Sequence, residues 1–119
     1  MSRPEPPHQG AVFDLAAIDA ELRREEAYGR DGHTARTLVR EGDMRIVLVV
    51  MRAGARIAEH RAGDTASILA LGGNLRLHLP DSVADLPAGR LLVLERGLRH
   101  DVEAVLESAF LLTLGWEAK

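Results

Sequence analysis

Five histidines and no cysteine bound the chemistry open to this chain. Without cysteine there is no thiolate ligand, no disulfide and no cysteine nucleophile, so stability must come from packing. An imidazole titrates near neutral pH and can donate, accept or ligate a metal. Three of the histidines are poorly placed for such work. His8 lies among Pro4, Pro6 and Pro7, His33 sits in the glycine-flanked stretch Gly29 to Thr34, and His78 falls on the outer side of an alternating strand. For His100 the local sequence gives a reason of its own. Gly97 allows a tight reversal after the apolar run Leu91 to Leu94, and the turn aims the His100 ring from the start of the next strand. Thr65 and Ser67 follow His60 closely and can add hydroxyls, although each also reads as a solvent-facing strand residue. There is no phosphate loop, no Gly-x-Ser-x-Gly elbow and no His-Glu-x-x-His helix. Gly72-Gly73 reads as a strand-end turn, and nothing in the spacing gives Ser67 the base and acid that a nucleophile needs.

The elements that must position these residues are mostly strands. Residues 1–11 form a proline-rich lead-in with little to bury, and residues 12–119 form one domain, since 119 residues support a single core. Asp14 caps a helix running to about Ala27, with Leu15, Ile18 and Leu22 on one face and Gly29 as its stop. From there on, short β-branched and leucine-rich runs are punctuated every eight to twelve positions, the signature of an all-β sandwich or barrel. The spacing predicts strands over 35–40, 44–52, 57–60, 65–71, 74–79, 83–86, 90–94, 100–104 and 108–116. Leu75, Leu77 and Leu79 alternate with Asn74, Arg76 and His78, so the leucines face inward.

Two segments break this alternation: Ile46 to Met51, and Phe110 to Leu112 continuing to Leu114 and Trp116. A strand apolar on both sides needs cover on both sides. The helix can cover one of these segments, and a second copy of the chain is the natural cover for the other, so a homodimer is expected.

A net charge of −3 argues against nucleic acid as a partner, and the composition, 46% apolar and 28% charged, is that of a folded domain. Met1 to Gly10 carry no apolar stretch and read neither as a secretory signal nor as a membrane anchor, which makes the cytoplasm the default location.

Two stretches between residues 54 and 104 resemble the paired signature of the cupin superfamily. Gly89 to Ala104 keeps both glycines (Gly89, Gly97) and the histidine (His100) of the second motif, with Glu95 in place of its proline and Ala104 in place of its asparagine. In the first motif Gly54, His60 and Gly73 fall in register, while the second histidine is Ala62 and the glutamate is Ala66. The short interval from Gly73 to Gly89 is similar to that of compact, uncharacterised bacterial single-domain cupins. The resemblance implies a double-stranded β-helix, or jelly-roll, barrel with one short N-terminal helix, and places His60 and His100 at its mouth.

It also implies a metal site, of which His60 and His100 are the surviving ligands. Two neutral imidazoles leave an ion's charge uncompensated and fall short of the three protein ligands that a catalytic site uses. Asp64, in a turn, and Glu59, beside His60, are the candidate replacement carboxylates, with Glu59 on the opposite side of a regular strand. The expectation is therefore a pocket without a cofactor, in which His60, His100, Thr65 and Ser67 hold a small polar organic ligand, a divalent metal being the alternative. A second function is an enzyme, an oxygenase or isomerase using both histidines or a metal-free catalyst with a histidine base; it expects His100→Ala to abolish activity with melting nearly unchanged. The third is a structural dimer with a relic pocket.

Overall fold

The computed structural model describes residues 10–61 and 63–115, and for 59–61 the backbone alone. Apart from Gly10 and Ala11, the expected lead-in lies outside the described residues, as does Trp116.

Asp14 caps α1 (Leu15–Arg23) by accepting the Ala17 backbone N–H at 3.1 Å. The single helix expected through Ala27 is instead two. The chain breaks at Arg24 and Glu25, and α2 (Glu26–Asp31) runs on through Gly29 to a left-handed cap at Gly32, φ 80°. The break turns Tyr28 into the protein, where its hydroxyl donates to Glu107 Oε2 at 3.0 Å and accepts from Arg23 at 2.9 Å. Gly32 stops the helix because the stop needs a left-handed residue, and Gly29 does not adopt that conformation. Consequently His33 is no loop residue: it opens the first strand.

Among the described residues the strands are β1 (His33–Glu41), β2 (Met44–Met51), β3 (Arg56–Arg61), β4 (Ala66–Gly72), β5 (Asn74–His78), β6 (Val83–Pro87), β7 (Leu91–Leu94), β8 (Arg99–Ala104) and β9 (Ser108–Gly115). They form two antiparallel sheets, ordered β1-β2-β9-β4-β7 and β3-β8-β5-β6. This is the all-β jelly-roll expected from the sequence, with two short helices in place of one. Among the described residues no helix is long and apolar enough to cross a membrane.

The core follows from the pleat. Val47, Val49, Met51, Ile68 and Phe110 from the larger sheet meet Leu75, Leu77 and Val102 from the smaller one. On the opposite side of the larger sheet, Leu48, Val50 and Ala109 pack with Leu22 and Tyr28 from the helices. A bulge in β1 between Thr37 and Val39 puts Leu38 and Val39, adjacent in sequence, into this same outer cluster. The helices thus supply cover for the second side of β2 and β9 within one chain, with Ile46 and Leu111 partly buried.

Candidate functional site

His100 is the second residue of β8. The preceding turn closes with the Leu98 N–H donating to Glu95 O at 3.2 Å, and Gly97, φ 77°, supplies the left-handed residue that such a turn requires. The ring is 3% exposed, and its Nδ1 lies 3.1 Å from Leu98 O. A carbonyl oxygen can only accept, so Nδ1 carries the proton. That bond fixes the tautomer: in the neutral ring Nε2 is an acceptor, and it becomes a donor on protonation.

His60 is the Cα partner of His100 across the β3–β8 pair, past an irregularity in β3 between Ile57 and His60. The backbone therefore brings the two sequence-predicted histidines side by side. The His60 and Glu59 side chains lie outside the described residues, as does Ala62.

His100 borders a cavity of about 220 Å³ inside the barrel. Its wall is apolar: Val47 and Val49 of β2, Ile57 of β3, Ile68 of β4, Val102 of β8, and Phe110, Leu112 and Leu114 of β9, with Ala35 of β1 exposed at the rim. Arg45 is the one charged group among the described lining residues. It shares the inward phase of Val47 and Val49 on β2, and its Nε is buried with no hydrogen-bond partner. An unsatisfied buried donor costs about 1–3 kcal/mol, and more when charged. Sequence reading passed over Arg45 because the run from Ile46 dominated the segment; the missed signal was a lone charge two residues before Val47, in phase with the core face.

Neither expected hydroxyl lines this cavity. Thr65 is exposed just before β4, and its carbonyl accepts from Gly115 N at 2.9 Å. Ser67 lies between the core residues Ala66 and Ile68 and opposite Val93, which is 60% exposed, so it sits on the outer face. Asp64 pairs with Arg96 at 3.8 Å and is not among the cavity residues. His8 lies outside the described residues.

His78 faces outward, as alternation predicted, and there it meets a partner the sequence did not reveal. Its Nδ1 lies 2.6 Å from Asp101 Oδ1, while Asp101 Oδ2 accepts from Arg56 at 2.7 Å. The three residues clamp β5, β8 and β3 together on the outer face. Burial of Asp101 alone would raise its pKa, but the bonds and charges from Arg56 and His78 outweigh it and hold the carboxyl below its usual range. A depressed carboxyl contributes stability above its unfolded pKa, about 3.9, and that contribution disappears as pH falls through the lower folded value. Wild type is therefore expected to lose stability more steeply than Asp101→Asn below about pH 4. Urea midpoints measured on both sides of that pH check this, and parallel pH profiles for the two proteins would refute it.

A larger cavity, about 380 Å³, lies between α1 and the start of β9, but its charges are already matched. Arg23 pairs with Asp19 at 2.6 Å and with Glu107 at 3.2 Å. It reads as a structural network that ties the helices to the barrel.

Among the described residues no group of three histidines and acids stands close enough to hold a divalent metal. Ala66 occupies a position where the resembling motif has a glutamate, and the one charge among the described lining residues, Arg45, is positive. The His60 and Glu59 side chains lie outside the described residues.

The chain matches no family model and no curated protein. Solved structures match it over its whole length. A conserved protein of unknown function from Streptococcus pyogenes is 24% identical, with TM-score 0.76, over 100% of this chain and 98% of that one. A cupin superfamily protein from Desulfitobacterium hafniense is 17% identical, TM-score 0.75, over 98% of this chain and 100% of that one. A salicylate 1,2-dioxygenase mutant from Pseudoaminobacter salicylatoxidans is 14% identical, TM-score 0.77, over 89% of this chain and 36% of that one. At these identities the likeness establishes the fold, and the fold is that of the cupins.

Proposed function

We propose that this cupin-fold chain is a metal-independent binding module that holds a small polar organic ligand in its barrel, with His100, and His60 beside it on β3, as polar anchors. One observation carries the reading: an apolar cavity of about 220 Å³ whose described polar lining is confined to His100 and Arg45. Small-molecule sites have this composition, an apolar wall with a few polar groups that fix orientation. The volume is below the roughly 300–1,000 Å³ of sites for drug-sized molecules. It equals about seven waters at their liquid volume of about 30 Å³ each.

Ala35 tests the reading without touching the core, because it is an exposed residue on the cavity rim. Chelator-treated protein is titrated with monocarboxylates from butanoate to octanoate and with their amides, followed by ligand-observed NMR. At least one series is expected to bind, and Ala35→Trp, by blocking the rim, to weaken it at least about tenfold. Failure of both series to bind wild type, or equal binding to Ala35→Trp, would overturn the module.

One observation favours catalysis as the second reading. The Leu98 carbonyl holds His100 in the tautomer in which Nε2 is basic, as a general base requires.

A further inference from the structure

Arg45 differs from the other internally engaged arginines. Arg23, Arg36 and Arg56 each reach an aspartate or glutamate within 3.2 Å. Arg45 reaches none among the described residues, although its Nε is buried and solvation cannot substitute for a partner. Its direct Cα partner on β1 is Arg40, also without an acid among the described residues. Two like charges facing each other across a strand pair repel. Among the described residues no acid pairs with the positive charge that Arg45 and Arg40 place at the β1–β2 end of the barrel, beside a cavity whose described lining is apolar except for Arg45 and His100.

A guanidinium is a planar fork of donors that matches a carboxylate in two parallel hydrogen bonds. Inorganic phosphate would satisfy the charge but would set oxygen against Val47, Val49 and Phe110. An anion with an apolar body satisfies both halves of the site.

We propose that the barrel cavity is a site for a small monocarboxylate, its carboxylate received by Arg45 with Arg40 reinforcing the field at the rim, and its apolar body lying along Val47, Val49 and Phe110. This rests on the binding-module reading and names its ligand class. His100 borders the same cavity.

The test compares each acid with its own amide on the intact chain, adding inorganic phosphate as a third probe. Wild type should bind the best acid at least about tenfold more tightly than its amide, and phosphate weakly or not at all. Arg45→Met should lose that preference while keeping the amide's affinity. Arg45→Lys should keep the charge, lose the fork and lie between the two, which retains a readout if the methionine variant does not fold. If acid and amide bind wild type equally, or if both Arg45 variants keep full preference for the acid, the carboxylate assignment fails while the module stands. Phosphate binding as tightly as the best acid would likewise overturn the assignment. Failure of both organic series to bind would remove the module and the assignment together.

Discussion

Alanine in place of Gly73 is expected to destabilise the fold by about 2–5 kcal/mol, combining a left-handed conformation that costs a non-glycine residue about 1–2 kcal/mol with overpacking of about 1–3 kcal/mol. Gly73 joins β4 to β5 with φ 78°, and a Cβ there would collide with Glu107 O and Ser108 Oγ. Those atoms lie at the entry to β9. Ser108 is 1% exposed, and its Oγ accepts from Asn74 N at 3.0 Å and donates to Leu106 O at 2.7 Å. Backbone has no rotamer by which to step aside, so the displacement passes into the strand that contributes Phe110, Leu112 and Leu114 to the cavity wall. Gly89 supplies the control. It is also left-handed, φ 90°, but a Cβ would meet nothing within 4 Å. Gly89→Ala should therefore cost only the conformational part, about 1–2 kcal/mol. Urea unfolding of both variants measures the difference, and equal losses would show that the close approach at Gly73 does not exist.

His100→Ala is expected to lose ligand binding and also about 2–4 kcal/mol of stability, from the emptied volume and the unsatisfied Leu98 carbonyl. This departs from the sequence-based expectation of nearly unchanged melting, because a ring 3% exposed is part of the core as well as of the cavity. The two roles separate with His100→Asn. An asparagine amide can stand where Nδ1 stands and donate to Leu98 O, but it has nothing at Nε2. It should recover much of the stability and none of the binding. Wild-type melting of His100→Ala would contradict the burial, and full binding by His100→Asn would take Nε2 out of the site.

Period and turn chemistry made the barrel legible. The alternation of Leu75 and Leu77 with Arg76 and His78 gave β5 its faces, and the glycine at 97 located the turn before β8. What stayed hidden depends on contacts between distant segments. Nothing local says that the helix must break at Arg24, because the reason is the hydroxyl of Tyr28 reaching Glu107. Nor does the sequence of β1 announce a bulge that sends Leu38 and Val39 to one side.

The candidate site was half legible. The resemblance put His60 and His100 together at the barrel mouth, and the backbone makes them Cα partners across β3 and β8. Ser67 was chosen for its nearness to His60 along the chain, but the phase of Ala66, Ile68 and Ala70 assigns it to the other face. Arg45 has the core phase and was overlooked because a charge is not expected to point inward. That departure from the binary pattern is where the cavity acquires its chemistry.

Metal analysis of the purified protein, joined to electron density around His100 in crystals of the same preparation, tests the central claim most directly. The expected result is no stoichiometric transition metal, and density for a small organic acid between Arg45 and His100. An ion held by the His60 and His100 rings at full occupancy would contradict it.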